Sequence, residues 1–88
     1  QNIQKYNFTK GFYGTNGVDR NAGFTTPEVN EALVKECAIK HTQAPYILCD
    51  SGKFSQICPV RFAKFDEAIV ITERVPEEYK KAQNIIVV

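Results

Sequence analysis

Asn16, Asp19, Thr25, Thr26 and Lys53 are the side-chain types that hold a phosphorylated, polyhydroxylated ligand. Lysine offers a compact positive charge, while aspartate and asparagine accept hydrogen bonds from sugar hydroxyls. Threonine hydroxyls beside the free N–H groups of a helix start complete an anion site, because donors and helix dipole act together. Gly17 lies between Asn16 and Asp19, where the backbone must turn tightly or come close to something. Capping alone also accounts for Thr26, and turn geometry alone for Asn16-Gly17, so a structural account stands beside the binding one.

Two segments must bring these residues together. The first is an apolar run ending at Thr15, a polar glycine-rich turn through Asn16-Gly17-Val18-Asp19 and Arg20-Asn21-Ala22-Gly23, and a helix that begins at Phe24-Thr25-Thr26-Pro27. The second is Asp50-Ser51-Gly52-Lys53, directly after the apolar run Tyr46-Ile47-Leu48-Cys49. Polar loops that follow strands are how an α/β sheet builds a ligand crevice, so two of them imply one site.

The other elements follow from periodicity. Gln1 to Asn7 reads as the last turns of a helix, with Ile3 and Tyr6 on one side. Strand one, Gly11 to Thr15, holds Phe12 and Tyr13 consecutively, the pattern of a strand covered on both faces. A helix is expected from Pro27 to His41, with Thr26 as N-cap, Pro27 in the first helical position and Val29, Ala32, Leu33, Cys37 and Ile39 as its buried stripe. Ala44-Pro45 breaks the chain before a strand at Tyr46 to Cys49. Ser55 to Pro59 has no clear period, and Val60 to Phe65 alternates as a short strand with Arg61 and Lys64 toward solvent. Ile69 to Thr72 is a buried strand, Pro76 to Ala82 a short helix and Ile85 to Val88 the last strand. Apolar runs alternating with helical segments predict an α/β fold, a mostly parallel sheet with flanking helices.

At 88 residues the chain makes at most one domain with a thin core. It begins at Gln1, holds no Met and ends on Ile85-Ile86-Val87-Val88, which reads as a piece of a longer protein. Eleven basic residues against ten acidic ones leave no basic patch for nucleic acid or anionic lipid. No apolar run approaches a membrane span and no signal-peptide layout is present, so a soluble cytoplasmic chain is expected. Cys37, Cys49 and Cys58 match no zinc-ligand spacing, and His41 has no recognisable partner. No metal or cofactor is expected, and Cys37 and Cys49 read as small core residues.

The ordered set Gly14-Thr15-Asn16-Gly17-Val18-Asp19, Gly23-Phe24-Thr25-Thr26-Pro27, Glu31 and Lys35, then Tyr46-Ile47-Leu48-Cys49-Asp50-Ser51-Gly52-Lys53-Phe54 closely resembles the C-terminal sensor region of DeoR-family transcriptional regulators. The resemblance covers nearly the whole chain. It implies the C-terminal part of a sugar-phosphate sensor domain with a Rossmann-like fold similar to ribose-5-phosphate isomerase and CoA transferases. It also implies a winged helix-turn-helix domain and the first half of the sensor in the preceding part of the protein. Such regulators mostly repress carbohydrate operons, here with the flavour of lactose, tagatose or fructose phosphotransferase operons. The implied partners are a phosphorylated sugar effector, operator DNA through the helix-turn-helix domain rather than this region, and further copies of the protein in a homo-oligomer.

The resemblance extends the candidate set to Asn16, Gly17, Asp19, Thr25, Thr26, Glu31, Lys35 and Lys53. Glu31 and Lys35, one helical turn apart, either contact ligand or pair on a solvated face. Where this chain has Asp50-Ser51-Gly52-Lys53-Phe54 the family usually has Asp-Ser-Ser-Lys-Phe, so a hydroxyl donor is absent. The isomerase pattern has a carboxylate at the place of Asn16, a Lys-Gly-Gly-Gly loop at that of Phe24 to Thr26 and a Glu near Val34. Asp19 and Lys53 match that pattern and the others do not. An amide cannot act as the base of an aldose-ketose isomerase, so the resemblance implies binding without turnover. An isomerase-like enzyme fragment and an oligomerisation module without ligand are the alternatives.

Overall fold

The computed structural model describes residues 8–88. Strands β1 (Phe8–Gly14), β4 (Thr42–Leu48), β6 (Ile69–Thr72) and β7 (Ile85–Val87) form one sheet in the order β1-β4-β6-β7, parallel throughout. Strands β2 (Gly17–Asp19), β3 (Gly23–Thr26) and β5 (Val60–Ala63) form a second, antiparallel sheet in the order β2-β3-β5. Helix α1 (Val29–Lys40) connects β3 to β4, and short 3-10 turns stand at Ser51–Lys53, Phe65–Glu67 and Glu77–Tyr79. The expected α/β class with a mostly parallel sheet is what the chain adopts. The expected N-terminal helix at Gln1 to Asn7 lies outside the described residues.

Each parallel strand carries an apolar stretch, Phe12-Tyr13 in β1, Tyr46 to Leu48 in β4, Ile69 to Ile71 in β6 and Ile85 to Val87 in β7. Tyr13, Ile47, Val70 and Ile85 align in register across the sheet, and Ile47 and Val70 have no exposed surface. The opposite face carries Phe12 stacked on Tyr46, their ring centres 5.3 Å apart. Phe12 is 58% exposed, so strand one is covered on one face rather than on both. Strand β4 starts earlier than expected and runs through Pro45, which pairs with Gly11. The ladder to β6 begins only at Tyr46, so Pro45 stands where β4 still has a free edge and its missing N–H costs little.

Five further expectations change. Gly17 to Asp19 and Gly23 to Thr26 are strands of a hairpin rather than a turn and a helix start. Val18 pairs with Phe24, and burying both completely sets the pairing despite the glycines at Gly17 and Gly23. The helix starts two residues later than expected, with Glu28 as N-cap accepting the Glu31 N–H at 2.7 Å, because Pro27 favours extended backbone at Thr26 and keeps it in β3. Its buried residues are Ala32, Ala38 and Ile39, whereas Val29 and Leu33 are exposed. The small alanines allow close approach to the sheets. The segment from Pro76 tightens into one 3-10 turn, and Cys37 and Cys49 are half-buried rather than core residues.

An aromatic chain joins the antiparallel sheet to the 3-10 turns and the segment after β4. Phe24 packs on Phe62 and on Phe65, Phe65 on Tyr79 and Tyr79 on Phe54, with ring centres between 4.9 and 6.4 Å apart. Each such pair adds roughly 0.5–1.5 kcal/mol beyond its buried area. Arg20 lies over the Tyr79 ring and donates to the Glu78 carbonyl, which pins the hairpin to the last 3-10 turn. Thr42 joins helix and sheet by donating to the Ala38 carbonyl at 2.6 Å and sharing a hydrogen bond with the Tyr13 hydroxyl at 2.7 Å. Among the described residues no helix is long and apolar enough to cross a membrane.

Candidate functional site

The C-terminal ends of β1, β4 and β6 open into a wide crevice of about 650 Å³. Gly14 and Thr15 line it from β1, Cys49, Asp50 and Lys53 from the segment after β4, and Thr72 and Glu73 from the end of β6. Because β1, β4 and β6 are parallel and adjacent, all three chain exits fall on the same edge, the position where open α/β sheets bind ligands. A smaller hollow of about 200 Å³ between α1 and β5 lies away from these ends. Its side chains Glu36, Lys40, Arg61, Lys64 and Glu67 are of mixed sign.

Lys53 is the cation of the crevice. Its side chain is 39% exposed and its ammonium stands 3.9 Å from Asp50 Oδ2, a loose pair that leaves donors free. The turn that carries it is self-capped: Asp50 Oδ1 accepts the Gly52 N–H at 2.9 Å, and the Asp50 carbonyl accepts the Lys53 N–H at 3.1 Å. A side chain at Gly52, as in the usual family pattern, would meet Asp50 Oδ1 at 3.0 Å. Beyond Lys53, buried Phe54 bridges to Val18, and the Ser55 N–H donates to the Val18 carbonyl at 2.7 Å.

On the other side of the β1 end a second polar cluster forms. Thr26 Oγ1 donates to Asn16 Oδ1 at 3.2 Å and lies 3.4 Å from Glu31 Oε1. Glu31 Oε2 pairs with the Lys35 ammonium at 2.6 Å, and Lys35 donates to the Gly14 carbonyl at 2.8 Å. The hydrogen bond from Lys35 and its charge hold the Glu31 carboxyl below its ordinary range. Asn16, Thr26, Glu31 and Lys35 thus form one connected group, with Lys35 over the Phe62 ring and only 17% exposed.

Gly17, Asp19 and Thr25 are placed in the hairpin instead. A Cβ at Gly17 would collide with the Gln56 backbone and Thr25 Oγ1. Asp19 Oδ2 accepts the N–H groups of Asn21 and Ala22, both at 2.9 Å, which closes the turn. Thr25 is buried, and its Oγ1 accepts the Cys58 N–H at 2.9 Å. Thr25 and Thr26 point to opposite sides because they are neighbours in a strand, and the helix N-terminus holds the Glu28 carboxylate.

Glu73 and Cys49 belong to the crevice without having been anticipated. Glu73 accepts from Ser51 and Thr72, and the Ser51 hydroxyl first, then the Glu73 backbone N–H, with smaller help from the Ser51 N–H and Thr72, pull its carboxyl down to about 2. Cys49 moves the other way: burial, then the Asp50 and Glu73 charges, push its thiol up to about 11. It stays protonated at neutral pH and is no nucleophile there. Cys49 stands in the quoted run before Asp50 but reads there as a core residue, and only the parallel pairing of β4 with β6 brings Glu73 beside it.

A family model described as the DeoR C terminal sensor domain matches residues 1–74. Over 75 residues the chain is 45% identical to a protein of Bacillus subtilis (strain 168) named an uncharacterized HTH-type transcriptional regulator FruR, covering 85% of this chain and 30% of that protein. Over 65 residues it is 32% identical to the HTH-type transcriptional regulator GlpR of Haloferax volcanii, covering 74% of this chain and 26% of that protein. The chain therefore spans less than a third of the length of either relative.

Proposed function

The chain belongs to the DeoR C-terminal sensor domain family, and from that premise we propose that it forms the effector-binding part of a transcriptional regulator whose effector is a phosphorylated sugar. The observation that carries this reading is the crevice at the ends of β1, β4 and β6, with the loosely paired Lys53 ammonium at its rim. Lys53 meets the phosphate, and the rim carboxylates with the exposed Asn16 take sugar hydroxyls, while buried Thr26 holds Asn16 in place. Glu31 and Lys35 hold Asn16, Thr26 and the end of β1 in place. Operator binding belongs to another part of the longer regulator.

The chain acts by binding rather than turnover. Asn16 offers an amide where a proton-abstracting carboxylate is needed, and Cys49 is protonated. Effector binding shifts the regulator between two arrangements, by no more than the difference in effector affinity between them.

Calorimetric or thermal-shift titration of the longer regulator against phosphorylated sugars and their unphosphorylated counterparts tests this. One phosphosugar should stabilise the protein, by about 2.7 kcal/mol at a hundredfold excess over its Kd. The response should disappear in Lys53→Ala. No response to any phosphosugar overturns the proposal.

A further inference from the structure

We propose that Glu73 is a positioning residue for the anionic group bound in the crevice, acting through Ser51 to fix the turn that carries Lys53. The inference rests on the effector reading above. The turn leaves the sheet after Cys49, whose N–H makes the last ladder bond, to the Ile71 carbonyl at 3.2 Å. It is held again only at Phe54, by the bridge to Val18. The internal bonds from Asp50 give the turn its shape but do not tie it to the sheet.

Glu73 supplies that tie. Its Oε1 accepts the Ser51 N–H at 2.9 Å and its Oε2 accepts the Ser51 hydroxyl at 2.7 Å. Two acceptors on one carboxylate meeting two donors on one residue fix orientation as well as distance. Thr72, almost completely buried at the end of β6, donates to Glu73 Oε1 at 3.1 Å and roots the carboxylate in the sheet. The carboxylate is thus engaged by three donors and stays ionised down to about pH 2. Among the described residues Lys53 pairs with Asp50 and not with Glu73, so the Glu73 charge does not occupy the ammonium. The turn is held at Ser51 on one side and Phe54 on the other, and Lys53 lies between.

The test measures inorganic phosphate binding to the longer regulator by calorimetry at fixed ionic strength, in wild type, Lys53→Ala, Glu73→Gln, Ser51→Ala and the Glu73→Gln/Ser51→Ala double variant. Urea midpoints are recorded for each. Glu73→Gln and Ser51→Ala should each weaken phosphate binding by roughly tenfold, the scale of one charge-assisted hydrogen bond. The double variant should lose less than the sum of the two single losses, because both variants weaken the same two-bond clasp. If the two single variants bind phosphate like wild type while Lys53→Ala does not, the inference fails and the effector reading stands. Lowered urea midpoints with unchanged affinity overturn it equally, since the clasp is then structural only. Should wild type bind neither phosphate nor any phosphosugar, both fall together. Ser51→Ala answers the question by itself if Glu73→Gln does not fold.

Discussion

The Lys35 ammonium donates to the Gly14 carbonyl oxygen at 2.8 Å, tying α1 to the last residue of β1. That carbonyl lies at the rim of the crevice, at the end of the first strand's ladder. A charged donor from the helix therefore reinforces the last pair of that ladder, Gly14 with Leu48. Lys35→Met keeps the aliphatic length and removes the donor, and should cost about 1–2 kcal/mol. Urea unfolding reads this as a lower midpoint at an unchanged slope.

Acid should expose Glu73. Its folded pKa, about 2, is below its ordinary value of 4.5, so the unfolded chain binds more protons between those limits. Its contribution is fully present above about 4.5 and is lost as pH falls toward 2. The Glu31 carboxyl, lowered by Lys35, works in the same direction. Urea midpoints taken from pH 6 to pH 3, roughly the span over which such a carboxyl begins to titrate, should fall less steeply in Glu73→Gln than in wild type. Equal slopes would contradict the assignment.

Gly23 and Gly14 should respond oppositely to alanine. Gly23 has φ +81°, and a Cβ there would run into the Ala63 carbonyl, whereas a Cβ at Gly14 meets nothing within 4 Å. Gly23→Ala should destabilise by about 2 kcal/mol or more, combining backbone strain with the clash. Gly14→Ala should lie within roughly 1 kcal/mol of wild type, on the stabilising side if the restricted unfolded chain dominates. Paired denaturation curves decide the ranking.

Thr25→Val removes one oxygen and little else. The Cys58 N–H then loses its acceptor in a half-buried setting, a change of about 1–3 kcal/mol. Amide exchange at Cys58 should accelerate more than at Val18 or Phe24, whose pairing does not use that hydroxyl.

The contrast between Thr25 and Thr26 shows where the sequence is legible and where it is not. Contiguous apolar runs at Tyr46 to Leu48, Ile69 to Ile71 and Ile85 to Val87 announce the parallel strands, although Leu48, Ile86 and Val87 are exposed. The crevice position follows, with Lys53 at it. The hairpin is hidden, since Gly17, Gly23 and the polar residues between them carry turn chemistry, and only the burial of Val18 against Phe24 overrides it. The faces of the helix are masked because Val29 and Leu33 are apolar yet exposed, while small Ala32 and Ala38 do the packing. Glu73 is beyond reach of any pattern: its contact with Ser51 joins the exits of two strands and leaves no periodic trace.

The pairing of β1 with β4 has a kinetic consequence. Phe8 meets Thr42 and Gly14 meets Leu48, so each of those pairings closes a loop around the whole hairpin and α1. The entropy of that closure is lost before any ladder bond can offset it, which makes such topologies slow to fold. During synthesis from the N-terminus, the ladder between β1 and β4 cannot begin before Thr42 has emerged, nor be complete before Leu48 has.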